Sequence, residues 1–286
     1  MSITPASWLE GGQYLEWRGL QLFYRVAGPE NGEPLLLLHG FPTASWDWQQ
    51  LWPELIKQYR VVAYDYGGFG FSSKPRGGPY SVMAYADEAE AILSKLGIKA
   101  VHLLAHDLGD SVAQELMARG NQILEIESVC LLNGGIFPEM HRPLLVQKLL
   151  NSPLGFLFAK LVNRARFEES FSAIFGPDTK PSKEELQSFW DLVSRDGGLG
   201  NYHLLIRYIR ERKLHRDRWA SPILKPACPF LFVDGLVDPI SGIHVVQRFR
   251  ELNPNANIVE LPGIGHYPQT EAPERVLAAY TAFRAQ

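Results

Sequence analysis

Leu103-Leu104-Ala105-His106-Asp107-Leu108-Gly109 is the stretch whose reading decides the fold. The apolar run over 101–105 predicts a short buried strand, and the period of 109–119 predicts a helix. Between them stands a small-x-Asp-x-small pattern, with Ala105 and Gly109 as the small residues. That spacing suits a nucleophile elbow, a strand-to-helix turn so sharp that only small side chains fit two positions either side of its tip. The tip is Asp107, and the first amides of a following helix favour an anion there. Asp is also a favoured helix N-cap, so this segment alone allows a purely structural role.

A carboxylate at the tip selects a chemistry. Attack on an ester carbonyl would give an anhydride, a poor intermediate. Attack on a saturated carbon gives an ordinary ester, which water can cleave. The residue therefore points to opening of an epoxide or expulsion of a halide. A serine-type esterase is disfavoured, because Ser111 lies inside the helix rather than on the turn.

The composition fits a globular enzyme. The chain has 286 residues, 46% hydrophobic and 21% charged, with seven Trp and fifteen Phe. That is enough for one large domain with an insertion. The net charge is −3 and no basic run stands out, which argues against nucleic acid or an anionic membrane as partner. Cys130 and Cys228 both fall in predicted buried strands and lack metal-ligand spacing, so they are read as reduced core residues. No metal or other cofactor is expected. The stretch Met1-Ser2-Ile3-Thr4-Pro5-Ala6 has no basic or apolar leader, and the longest apolar run, 35–38, is too short to span a bilayer. A cytoplasmic location is the expectation. Nothing in the sequence specifies an oligomeric state.

Strands and helices alternate through the first half. Strands are predicted over 20–27, 34–39, 60–65, 101–105 and 126–133, and helices over 46–58, 81–96 and 109–119. This rhythm is that of a doubly wound, mostly parallel sheet. It breaks after Asn133-Gly134-Gly135. Residues 136–220 have helical period cut by prolines and read as a helical cap. The α/β pattern then resumes with a strand over 229–234, a helix over 240–252, a strand over 257–261 and a closing helix over 273–285. The expected organisation is a core of 1–135 and 221–286, with the cap inserted between.

Further pieces fall where an elbow enzyme needs them. His266 sits in Gly263-Ile264-Gly265-His266-Tyr267-Pro268, just past the last predicted strand. Asp238 follows the preceding strand and suits holding that imidazole in the proton-accepting tautomer; Asp234 is its rival. In His39-Gly40-Phe41-Pro42 the glycine turn can aim the Phe41 amide at the site, where it would form an oxyanion hole with the Leu108 amide.

These four pieces, with Asp65-Tyr66-Gly67-Gly68-Phe69-Gly70-Phe71-Ser72, resemble the α/β-hydrolase fold family, and within it the epoxide hydrolase and haloalkane dehalogenase branch with an Asp nucleophile. The order nucleophile, acid, histidine is also that family's order. The runs 105–116 and 133–144 are moreover similar to the mesoderm-specific transcript family, which carries an epoxide hydrolase-like sequence. The resemblance implies a cap after the sixth strand, Asp107 as nucleophile and the pair His266 and Asp238 as water activator. It also implies two cap tyrosines donating to the epoxide oxygen. Tyr208 best resembles the second of these. The earlier one is not evident, and Tyr202, His203, Trp190 and His141 are the substitutes considered. His39, His106, Trp190 and Tyr202 are taken as substrate-contacting candidates.

The leading expectation is thus an epoxide hydrolase-like enzyme acting on a small apolar organic substrate through a covalent ester on Asp107. Dehalogenation is the second, weakened because Leu108 stands where that branch carries a halide-holding Trp. A ligand receptor or scaffold with little turnover is the rival from another class.

Overall fold

The computed structural model describes residues 3–120 and 122–286. Met1 and Ser2 of the N-terminal stretch read above therefore lie outside the described residues. Eight strands form one sheet: β1 (Gly12–Trp17), β2 (Leu20–Ala27), β3 (Glu33–Leu38), β4 (Tyr59–Tyr64), β5 (Ala100–His106), β6 (Glu125–Leu132), β7 (Phe230–Gly235) and β8 (Ile258–Leu261). The order is β1-β2-β4-β3-β5-β6-β7-β8. β1 and β2 run antiparallel, and β3 to β8 are mutually parallel. β3 and β5 are the middle of the sheet, which explains their unbroken apolar runs: Leu35 to Leu38 and Leu103 to Ala105 are all fully buried. Helices Val82–Lys95 and Leu108–Arg119 cover the sheet. Ser81 caps the first, accepting the Ala84 amide at 3.1 Å, and Gly97 ends it at a positive φ.

Three sequence expectations differ from the structure. β1 was not predicted: it is an edge strand, mostly half-buried or exposed, and has no apolar alternation to read. Its hairpin turns on Arg18-Gly19, both at positive φ, as a two-residue loop requires. The single helix expected over 46–58 is instead a 3₁₀ turn, Ser45–Trp48, and one α-turn, Trp52–Leu55. Pro53 lacks the N–H needed to continue a helix through that point, and it opens the second turn. Cys228 lies in the bend before β7 and is half-buried, not in a buried strand; Cys130 is buried in β6, and both are free thiols.

Between β6 and β7 the described residues hold helices and no strand, from Leu145–Leu150 through Arg216–Leu224. This segment meets the carboxyl ends of the strands. Among the described residues, no helix is long and apolar enough to cross a membrane.

Candidate active site

β5 delivers Asp107 between the ends of β3 and β6, where the Asp107 amide donates to Leu132 O at 3.2 Å. Asp107 takes φ 47° and ψ −104°, a conformation costly for any residue with a Cβ. The small neighbours are required: a Cβ on Gly109 would stand 2.2 Å from Leu38 O. The helix Leu108–Arg119 starts at the tip.

The Asp107 carboxylate is buried and held from three directions. Oδ2 accepts the Phe41 amide at 3.1 Å and the Tyr208 hydroxyl at 3.2 Å. Oδ1 faces Arg212 Nη2 at 3.3 Å, and the same Nη2 donates to Asp107 O at 2.6 Å. Arg212 Nε donates to Ser111 Oγ at 2.6 Å, and its guanidinium lies 4.6 Å from the centre of the Tyr208 ring. Burial, the largest influence on Asp107, pushes its carboxyl up. Arg212, His266, His106 and the Phe41 amide together outweigh burial and hold it below the ordinary value of 3.8. Asp107 is thus an anion at neutral pH despite its depth.

His266 lies on the loop after β8. Its Nδ1 is 2.7 Å from Asp238 Oδ2. Asp238 is fixed in turn by the Ser241 hydroxyl at 2.9 Å, Asn133 Nδ2 at 3.1 Å and the Ile240 amide at 2.7 Å. Burial lowers the imidazole, but Asp238, by charge and hydrogen bond, and then Asp107 raise it above 6.5 in net. Asp234 is fully buried, has no hydrogen-bond partner on either carboxylate oxygen and does not reach His266.

Sequence reasoning overlooked three groups. Arg212 stands one helical turn after Tyr208, so the i, i+4 spacing of the two is the signal that could have found it. Glu271 accepts the Gly176, Gly265 and Tyr267 amides at 2.8, 2.8 and 2.9 Å, and the Thr179 hydroxyl at 2.6 Å. It thereby ties the His266 loop to the helical segment. Asn133 accepts the Gly235 amide at 2.7 Å and donates to Asp238, joining β6 to the β7 loop. The glycines after it make room: a Cβ on Gly135 would stand 2.5 Å from Arg212 Nη1.

The four substrate-contacting candidates separate. Tyr202 is brought to the site: it lines an apolar cavity of about 620 Å³ with Phe41, Pro42, Phe171, Ile174, Ile240 and His266. Its ring lies 5.5 Å from Phe41, and its hydroxyl is buried without a hydrogen-bond partner among the described residues. The other three do not line that cavity. His39 stacks on Tyr66 at 4.1 Å, its Nδ1 meets Gly40 O at 2.9 Å, and its Nε2 accepts the Tyr66 amide at 3.3 Å. Both ring nitrogens are thereby spent on the backbone, and burial lowers its pKa to about 4. His106 donates from Nε2 to His266 O at 2.7 Å, so it positions the histidine loop, and burial takes its pKa to about 3. Trp190 packs on Phe167, ring centres 5.6 Å apart, as part of the helical segment's own core. Of the substitutes considered for the earlier tyrosine, His141 has both ring nitrogens buried without a partner, and burial lowers its pKa to about 4. Leu108 is buried at the helix start. A second cavity of about 730 Å³, between Trp46, Glu185 and Pro273, touches none of these residues. Among the described residues, no group of three or more His, Cys, Asp or Glu is placed to hold a metal ion.

Residues 33–273 match the family model described as alpha/beta hydrolase fold. The chain belongs to the alpha/beta hydrolase fold family. Within that family it is similar to the mesoderm-specific transcript homolog protein of Homo sapiens, 40% identical over 296 residues that cover 98% of this chain and 88% of that protein. It is equally similar to LipZ of Mycobacterium tuberculosis, named as a candidate hydrolase: 40% identical over 276 residues, covering 96% and 95%. Among solved structures, a haloalkane dehalogenase loop variant from Bradyrhizobium elkanii superposes with a TM-score of 0.80 over 96% of this chain and 97% of that one, at 20% identity. At that identity the likeness concerns the hydrolase fold alone.

Proposed function

We propose that this alpha/beta hydrolase opens epoxides through an ester formed on its own Asp107. The observation that carries the reading is the environment of that carboxylate: an ionised Asp at the elbow, hydrogen-bonded by Tyr208 and flanked by the Asp238–His266 pair. In the first step an Asp107 oxygen attacks a saturated epoxide carbon and the C–O bond breaks. The epoxide oxygen takes the Tyr208 proton as that hydroxyl turns from Asp107 to the substrate. The unpartnered Tyr202 hydroxyl on the cavity wall is a second donor within the same helical segment. Both donors matter because an alkoxide leaving into a dry cavity is costly without them.

In the second step His266 removes a proton from water, and the hydroxide attacks the ester carbonyl. The Phe41 amide already points at Asp107 Oδ2 and stabilises the oxyanion, with the Leu108 amide as its partner. Collapse returns the Asp107 carboxylate and releases a vicinal diol. The proton on His266 replaces the one lost by Tyr208. In this scheme the helices between β6 and β7 act as the cap, over residues 136–220, and the apolar walls select a small apolar substrate.

The same nucleophile can expel halide, but Leu108 offers no side-chain N–H to hold the departing ion. One experiment separates the readings. The His266→Gln variant is exposed to a panel of epoxides and haloalkanes, followed by intact-protein mass and chloride analysis. An epoxide adduct mapped to Asp107 and persisting for hours is the expected result. Chloride release with no epoxide adduct would make the protein a dehalogenase. No adduct with any member would favour a receptor. In the parent enzyme, one turnover in heavy-oxygen water should label Asp107; label confined to the product would mean direct attack by water.

A further inference from the structure

The helical segment carries a surface that the reaction does not use. Among the described residues ten large apolar side chains are exposed, and five of them fall between positions 145 and 161. These are Leu145, Leu154, Phe156, Leu157 and Leu161, each 45–72% exposed. They occupy the short helices Leu145–Leu150 and Gly155–Ala159 and the turns beside them. Leu145 and Leu161 also line the 620 Å³ cavity, so the exposed apolar surface runs into its mouth.

The charge of this segment is one-sided. Residues 141–167 include Arg142, Lys148, Lys160, Arg164 and Arg166 and no Asp or Glu, in a chain whose net charge is −3. All five cations are exposed. Among the described residues only Arg164 pairs with a carboxylate, that of Glu168. Arg166 donates to Leu161 O at 2.9 Å and so stands at the rim. Because apolar residues separate the cations, no basic run shows in the sequence, and the whole-chain charge hides the patch.

We propose that this segment docks the molecule on the surface of an anionic phospholipid bilayer, with the cavity mouth against the acyl chains. Exposed Leu and Phe suit burial at the acyl boundary, while Lys and Arg lay their stems along it and meet the phosphates. A second copy of the chain fits poorly: a twofold contact would set Arg142, Lys148, Lys160 and Arg166 against their own copies, with only Glu168, already paired with Arg164, and Glu169 next in sequence to oppose them. An apolar substrate dissolved in the bilayer would enter the cavity without crossing water.

Vesicle flotation tests this and needs no turnover, so it stands apart from the proposed reaction. The parent protein is mixed with vesicles of phosphatidylglycerol and phosphatidylcholine in equal parts, or of phosphatidylcholine alone. It should float with the mixed vesicles at least about tenfold more than with the neutral ones at about 0.1 M salt, and less so at about 0.5 M. Two surface variants, Phe156→Ser/Leu157→Ser and Lys148→Glu/Lys160→Glu, should each lower binding by at least about tenfold with circular dichroism and melting unchanged. The proposal is overturned by absence of flotation, by equal flotation of folded variants, or by a parent dimer in gel filtration that the Phe156→Ser/Leu157→Ser variant dissolves.

Discussion

Arg212→Met removes the cation beside the proposed nucleophile, Asp107, while keeping an unbranched apolar side chain. Arg212 Nη2 stands 3.3 Å from Asp107 Oδ1, and both side chains are withdrawn from water. With about 4 Å between charge centres and an effective dielectric of about 20, their attraction is about 4 kcal/mol. That is about a thousandfold in the proton affinity of Asp107. In the parent, burial raises the carboxyl and Arg212 leads the groups that reverse it. Without Arg212, burial has the larger say, and the carboxyl takes up its proton at a higher pH than before. Protonated Asp107 cannot attack. The assay is adduct formation in the His266→Gln background, followed by intact mass from about pH 4 to about pH 9. As pH falls, the Met variant should lose rate well before the parent does. Arg212→Lys keeps the charge without the fork and should lie between. A second readout follows from linkage. In the variant, Asp107 binds its proton more tightly folded than unfolded, so melting temperature should fall as pH rises. Adding Asp107→Asn should abolish that slope. If Arg212→Met alkylates with the parent's pH profile, the guanidinium is not what holds Asp107 ionised, and the reasoning fails.

Three other outcomes are expected. Tyr208→Phe should slow adduct formation by about 10²–10⁴ in burst kinetics while ester hydrolysis keeps its rate, because its proton is needed only as the epoxide opens. Hydrolysis requires neutral His266; in the free enzyme Asp238 and Asp107 raise its pKa above 6.5, and esterification removes the Asp107 charge, so breakdown of the adduct should rise with pH through a value lower than that of the free enzyme, and quenched samples at about pH 5.5 should hold more adduct than those at about pH 8.5. Glu271→Gln weakens the clamp on three amides of the histidine loop and its neighbour; it should cost about 1–3 kcal/mol in denaturant melts and slow hydrolysis more than alkylation.

The parts of the site that could be read from sequence lie at strand ends, where rules are local. Asp107 is flanked by Ala105 and Gly109, His266 by a glycine, and Asp238 stands just past β7 with its carboxylate free to turn back. Asp234 lies inside β7, so its side-chain direction was fixed by the strand and away from His266. The helical segment was less legible. In Ile206-Arg207-Tyr208-Ile209-Arg210-Glu211-Arg212 four of the seven residues are charged, which reads as a solvated face. Yet Arg212 points inward while Arg210 reaches outward to Asn151 O. Local period cannot tell these apart, because the choice is made by what the helix packs on. His39 and His106 show a related limit: the Tyr66 amide that His39 Nε2 accepts and the His266 carbonyl that His106 Nε2 meets are distant in the chain, so no local rule predicts them.

What divides labour among the buried aspartates is where cations and amides are aimed, not depth. Asp107, Asp110, Asp234 and Asp238 are all nearly or wholly inaccessible to water. Burial is the largest influence on each, and it favours the neutral acid. It prevails at Asp110 and Asp234, which are pushed well above 3.8; Asp234 has further carboxylates around it and no compensating donor. It is overcome at Asp238 by His266, the Ile240 amide and the Ser241 hydroxyl, and at Asp107 by Arg212, His266, His106 and the Phe41 amide. Two carboxylates are therefore ionised, one on each side of the His266 imidazole, and this is the pair a two-step displacement needs. In the proposed reaction one attacks carbon, and the other stabilises the imidazolium that forms when water is activated. Esterification of Asp107 removes one of these two anions, so the imidazole gives up its proton more readily in the adduct than in the free enzyme, at the stage where the proposed reaction needs it as a base.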